Sequence, residues 1–244
     1  QTCALPILGD YDMNDVVIVS RIDRMMSKDG GKVSALTINW ELRAAGTTYD
    51  IAGAVQMDKV QTSDVAGVVS SHEGFGSGAF ASRGLDADSP CAVIPFFNRT
   101  EELLSASNTW KGQPAAAIRK HTTTVTFSQP VDIASVLDSE MNFFIAPKQR
   151  TSEIHMPGYA PTASGIIGKG SFLPSDPYKF FVTEGDQAKN NYMMWALMIP
   201  GEFRYPAETN DIRGVYEYFM AWASSNGAEH AEWYLESADA GRIY

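Results

Sequence analysis

Four carboxylate or amide side chains fall within six positions near the start of the chain. They are Asp10, Asp12, Asn14 and Asp15, in the run Gly9-Asp10-Tyr11-Asp12-Met13-Asn14-Asp15. A β-branched run, Val16-Val17-Ile18-Val19, begins where they stop. Carboxylates packed so closely repel one another, and Asp and Asn favour turns over regular structure. A hard cation would relieve the repulsion, since Ca²⁺ takes about six to eight oxygen ligands and tolerates irregular geometry. Asp10, Asp12, Asn14 and Asp15 are therefore the candidate metal ligands, and calcium is the candidate cofactor. The plainer alternative is a polar turn opening a strand, with Asp10 or Asp12 bonding backbone amides. The run is not an EF-hand loop. Counted from Asp10, Asp15 stands where the sharp-turn glycine belongs, and Arg21 holds the twelfth place, which needs a bidentate Glu.

Other constellations are sparser. Glu153 and His155 are two apart, so on a strand they share a face and could offer a carboxylate and an imidazole to a ligand. The more frequent outcome for such a pair is a half-exposed polar edge. Trp110, in the polar stretch Asn108-Thr109-Trp110-Lys111-Gly112, is a candidate ligand platform, with a Trp folded back on the core as the alternative. His72, His121, Glu153-flanked His155 and His230 show no zinc-like spacing. No Gly-x-Ser-x-Gly elbow has the strand–turn–helix context that a nucleophile needs. Gly74-Phe75-Gly76-Ser77-Gly78 has neither the Lys nor the following helix of a phosphate cradle. Glu101, Glu102 and Glu202 are the carboxylates that a glycoside-hydrolase reading would need, and nothing in their spacing singles them out.

The elements that must position these residues read as β. Val16 to Met26 predicts a strand, Ser27-Lys28-Asp29-Gly30-Gly31 a turn, and Val33 to Ala45 the partner strand. In that partner Leu36, Ile38, Trp40 and Leu42 alternate with Thr37, Asn39, Glu41 and Arg43, so one face is buried and the other wet. Further strand-like runs are Tyr49–Met57, Cys91–Phe97, Thr122–Phe127, Met141–Ala146, Tyr178–Val182 and Tyr192–Ile199. Gly67 to Ser89, rich in Gly, Ser, Ala and Asp, predicts a long loop. After Pro206, the residues Ile212, Val215, Tyr216, Phe219, Met220 and Ala223 recur at helical spacing, with Thr209 or Asn210 as cap and Gly227 as terminator. The fold class expected is mainly β: an antiparallel β-sandwich-like domain with one C-terminal amphipathic helix.

Composition narrows the partners. The 244 residues are 44% hydrophobic and carry a formal net charge of −10, ample for one core and opposed to nucleic-acid binding, which needs a basic face. No run approaches the roughly 18 apolar residues of a membrane span. Gln1 to Ile7 match, in order, the translation of a sequencing-library adapter and are read as a scar, which takes Cys3 out of the count and leaves Cys91 alone. Cys91 reads as a small buried hydrophobe rather than a catalytic thiol. The native start, with any signal peptide, is then missing. The domain is expected over residues 8–236, followed by a tail at 237–244.

Gly9-Asp10-Tyr11-Asp12-Met13-Asn14-Asp15-Val16-Val17 resembles the opening motif of the LruC domain. Glu153-Ile154-His155-Met156-Pro157-Gly158-Tyr159-Ala160-Pro161-Thr162, Trp195-Ala196-Leu197-Met198-Ile199-Pro200-Gly201-Glu202-Phe203, and the helix followed by Glu232-Trp233-Tyr234 resemble its later motifs. The resemblance implies a secreted or envelope-anchored protein of Gram-negative bacteria, often a lipoprotein, in the outer membrane or periplasm or outside the cell, with no established catalytic activity. The Asp-x-Asp-x-Asn-Asp-hydrophobic run also looks like a motif of calcium-dependent ligand-binding domains in bacterial surface adhesins. Both groups usually carry an acidic Phe/Trp-Glu-Asp-like segment before the motif, and here the adapter-like residues stand in its place. The function expected is a calcium-stabilised binding or adhesion module for a surface peptide or glycan. The alternatives are a carbohydrate-active envelope hydrolase and a purely structural envelope domain.

Overall fold

The computed structural model describes residues 2–5, 11–28, 30–105, 107–114, 116–156, 158–165, 182–183, 192–193, 196–225 and 227–244. Twelve strands are assigned among them: β1 (Thr2–Leu5), β2 (Val16–Met26), β3 (Lys32–Ala44), β4 (Ile51–Gln61), β5 (Val65–Ser70), β6 (Cys91–Phe97), β7 (His121–Asp132), β8 (Met141–Pro147), β9 (Ile154–His155), β10 (Val182–Thr183), β11 (Tyr192–Met193) and β12 (Leu197–Ile199). Six of these form one sheet in the order β12-β1-β2-β3-β7-β5, and four form a second in the order β6-β4-β8-β9. Every pairing is antiparallel, and β10 and β11 pair with each other alone.

The two sheets stack as a sandwich because their inner faces are apolar. Leu36, Ile38, Trp40 and Leu42 of β3 are all buried, as the alternation in the sequence requires, and meet Val55 and Met57 of β4, Phe96 of β6 and Phe143 of β8 in one cluster. The outer face of the larger sheet is also covered at its β1–β2–β3 end. Ala4, Val17 and Ala44 turn there into a second cluster with Met13, Phe203, Tyr216, Phe219 and Trp233. The register shift between Val17 and Ile18 lets β2 serve both cores. At this end of the sheet the strands follow the near-continuous apolar pattern of two-sided burial rather than strict alternation.

The C-terminal cover is two short helices, α1 (Ile212–Val215) and α2 (Phe219–Ser224), rather than one. The stripe residues Ile212, Val215, Tyr216, Phe219 and Ala223 are buried as expected, yet the helix breaks at Tyr216, whose φ of −113° and ψ of 113° are extended. Tyr216 instead forms an isolated antiparallel bridge with Ala238, and Gly214 weakens the helix just before it. Asp211, one residue past the expected caps, accepts from Arg213 N at 2.8 Å. Gly227, with φ of 83°, ends α2 by donating to Trp222 O at 2.9 Å. Residues 237–244 return onto the domain, and Pro206 and Ile243 form a second isolated bridge.

Two further features depart from the strand pattern expected. The first residues of the supposed 67–89 loop belong to β5, where Val68 pairs with Val125 of β7. Their Gly-Ser-rich setting hides a strand that forms because β7 supplies a full hydrogen-bonding template. Cys91 opens β6 only half buried, its thiol pKa raised by burial first and the Asp58 charge second. The strand expected at 178–182 lies mostly outside the described residues, as does Trp195.

Trp233 is the centre of the second core, with ring centroids 4.9 Å from both Tyr216 and Phe219 and 6.0 Å from Phe203. Trp233→Ala will lower stability by about 3–5 kcal/mol in denaturant unfolding. A loss of under about 1 kcal/mol would mean that the C-terminal cover contributes little.

Candidate functional site

The acidic run turns inward before β2 begins. Tyr11 and Met13 have φ of 61° and 54°, left-handed values that ordinary side chains avoid. Met13 buries in the second core, and the alternating backbone leaves Asp12, Asn14 and Asp15 buried too. Asp10 lies outside the described residues. The loop is held from far along the chain. Tyr11 O accepts from Ile212 N at 2.8 Å, and the Arg213 guanidinium lies 4.5 Å over the Tyr11 ring. Asp12 Oδ2 accepts from the backbone N–H of Thr209 at 3.1 Å. Asn14 Nδ2 donates to Pro206 O at 3.0 Å. Thr209 is itself left-handed, with φ of 66°.

The amide oxygen of Asn14 is left over. Asn14 is 0% exposed, and its Oδ1 has no hydrogen-bond partner among the described residues. A buried carbonyl-type oxygen without a donor costs about 1–3 kcal/mol. It faces Gly46, where a Cβ would stand 2.3 Å from Asn14 Oδ1 and 3.2 Å from Glu208 Oε2. Only glycine leaves that space open, and two oxygens from distant segments converge on it. Gly46 N donates to Asn14 O and Asp15 O at 3.1 and 3.2 Å, which fixes the approach. Glu208 is oriented by Thr109, whose Oγ1 donates to Glu208 Oε2 at 2.6 Å. Thr109 is placed in turn by Asn108, which bonds Ala45 N and Arg43 O at the end of β3.

The donor set is hard oxygen throughout, the chemistry of Ca²⁺ rather than zinc or copper. Among the described residues no three His, Cys, Asp or Glu side chains gather as a metal cluster; the convergence at Gly46 is of an amide and a carboxylate oxygen. Gly46 and Glu208 carry no local motif, so only the fold reveals them.

Trp110 follows Thr109 directly and is 52% exposed. Its backbone N donates to Gln113 Oε1 at 2.9 Å, and the side chain is exposed rather than folded onto the core.

Glu153 and His155 sit elsewhere, on the second sheet, and both are buried rather than half exposed. His155 Nε2 is 2.9 Å from Glu153 Oε2 and Nδ1 is 2.7 Å from Asn142 Oδ1, while the ring stacks on Phe144 at 4.5 Å. Glu153 also accepts from Thr162 N at 2.8 Å and from Arg150. Burial alone would raise the Glu153 carboxyl, but the His155 hydrogen bond and charge, with Arg150 and Thr162, hold it below its ordinary value. The pair therefore latches Thr162 onto β8 and β9.

His72 and His121 meet against Trp40, with ring centroids 5.0 Å apart, and His72 Nε2 lies 3.3 Å from Glu102 Oε2. Burial, then His72 and Arg119, lower the His121 pKa. Glu101 and Glu102 line one cleft and Glu202 another, so they do not face each other as a pair.

Residues 31–234 match the family model described as Domain of unknown function (DUF4842). No curated protein matches the chain. Among solved structures, the crystal structure of a "Putative lipoprotein" from Bacteroides ovatus is similar with a TM-score of 0.70 at 17% identity, covering 100% of this chain and 74% of that one. That likeness establishes a shared fold. Among the described residues no helix is long and apolar enough to cross a membrane.

Gly46→Ala forces a methyl group into the oxygen cradle and will cost about 1–3 kcal/mol in denaturant unfolding. An unchanged midpoint would show that the cradle is not tight. Glu153 gives a pH-dependent test. Its lowered folded pKa contributes stability that is present above the ordinary value of 4.5 and is lost as pH falls through the folded value. Glu153→Gln will be weaker than wild type by about 3 kcal/mol near neutral pH. Denaturation across pH will show that gap closing under acid, and a pH-independent gap would contradict the assignment.

Proposed function

We propose, for a chain that belongs to this domain family of unknown function, that it is a calcium-stabilised binding module of the bacterial envelope. The observation that carries it is the buried Asn14 Oδ1, without a partner among the described residues, converging with Glu208 on the cradle above Gly46. Asp12, Asn14, Asp15 and Glu208 are the described side chains that would supply oxygens to a Ca²⁺ ion, and Asp10, outside the described residues, belongs to the same run. The ion would neutralise clustered carboxylates and satisfy the leftover oxygen. It would also tie the loop before β2 to the turn at 206–209.

The binding role is supported by Trp110, an exposed aromatic one residue from Thr109, which holds Glu208. Such a ring offers a flat apolar face to a sugar or side chain. The envelope location is supported by the LruC-like motifs of the sequence and by the fold shared with a protein described as a lipoprotein. Peptide and glycan both remain within the ligand class.

Thermal melting in millimolar calcium against excess chelator tests the proposal. An ion at about a hundredfold over its Kd adds about 2.7 kcal/mol, a rise of roughly 5–10 °C for a domain of this size. Asn14→Ala and Glu208→Gln will abolish the rise, each variant being melted in chelator as its own reference. An identical melting temperature with and without calcium would overturn the proposal.

A further inference from the structure

A second concavity lies beside the calcium loop. The cleft encloses about 700 Å³, within the roughly 300–1,000 Å³ usual for small-ligand sites. It runs between β2, the 116–118 stretch and the turn at 200–205. Its character is unusual for this chain. The formal net charge is −10, yet Arg21, Arg43 and Arg204 all line the cleft.

The three guanidinium groups are not equivalent. Arg21 is engaged by Asp23 at 3.0 Å, and Arg43 is held by Glu41. Arg204 is exposed, and its guanidinium has no partner among the described residues. Of the facing carboxylates, Asp138 is taken by Arg24, while Glu202 stays exposed as an acceptor two residues from Arg204. The wall beside them is aromatic. Tyr205 and Tyr244 stack with centroids 5.4 Å apart and planes at 12°. The inner ring is fixed, with Tyr205 buried and its hydroxyl donating to Arg43 O at 3.4 Å. Tyr244 is only partly buried and keeps aromatic surface toward the cleft.

We infer that this cleft binds an acidic oligosaccharide of the uronic-acid type, with Arg204 as the carboxylate anchor. A carboxylated sugar uses all three features together. Its carboxylate accepts a forked pair of hydrogen bonds from Arg204. Its hydroxyls donate to Glu202, and its apolar C–H face packs on Tyr244. An acidic peptide fits less well, because an aspartate or glutamate side chain offers Tyr244 no broad C–H face of the kind a sugar ring presents. The inference rests on the reading of the chain as a binding module, but not on calcium.

Titration calorimetry with trigalacturonic acid, neutral galactotriose and triglutamate tests it, on the full chain in buffer containing chelator. Saturable binding of trigalacturonic acid alone is expected. Arg204→Ala, at an exposed position, will leave the melting temperature unchanged and weaken binding about tenfold or more, the loss expected for one charge-assisted contact. Tyr244→Ala will also weaken binding, since the ring face is what acts. Absence of saturable binding, equal binding of galactotriose, tighter binding of triglutamate, or an Arg204→Ala variant that binds unchanged would each overturn it. The calcium melting shift, measured on the same preparation, separates the two readings. A shift without sugar binding sinks this inference alone, and sugar binding without a shift sinks only the calcium proposal.

Discussion

Burial of both faces of the larger sheet at its β1–β2–β3 end is the constraint on which the rest of the molecule depends. A sandwich needs only one apolar face per sheet. Here Ile18 and Leu42 fill the space between the sheets, while Val17 and Ala44 must be covered from outside. The covering comes from residues 197–243, centred on Trp233 and braced by Tyr216 and Phe219. Those aromatic residues are large enough that a short, broken helix suffices where a longer one would otherwise be needed.

The same covering decides what the acidic run becomes. Left to itself, Asp10 to Asp15 would be a solvated turn. The cover brings Pro206, Glu208 and Thr209 over it, so that Asp12 and Asn14 lose water and take backbone groups instead. Three of the five left-handed non-glycine residues among those described, Tyr11, Met13 and Thr209, meet at this junction. Such conformations persist where the surroundings over-determine them. Burying polar atoms there carries a cost that the proposed ion would offset.

Much of the sandwich was legible from residue pattern. The alternation through Leu36, Ile38, Trp40 and Leu42 is local, and its partner strand β2 ends only a short turn before β3 begins, so pattern and turn place both. The aromatic stripe after Pro206 was legible as a buried surface but not as two pieces, because the break at Tyr216 is made by Ala238, far beyond any helical window. β5 was hidden by Gly67 and Ser70, since its pairing is imposed by β7. The site divides in the same way. Asp12 and Asn14 stand out by spacing. Gly46 and Glu208 do not, because what matters about them is a distance across the fold. Glu153 and His155 were visible as a pair, while their burial and the bonds from Thr162 were not.

The hydrogen bonds that shape the acidic loop span 192 and 197 residues of chain. Contacts of such separation carry a large loop-closure cost, and chains dominated by them fold slowly, over milliseconds to seconds. During synthesis the loop emerges before β2, yet its partners at 206–209 emerge only after nearly all of the sandwich has left the ribosome. The oxygen cradle thus cannot exist until the sandwich strands before 206 have been made. A cation entering it would engage only chains that have already completed their topology, and so would act as a late lock on a finished fold rather than as a nucleus around which folding starts.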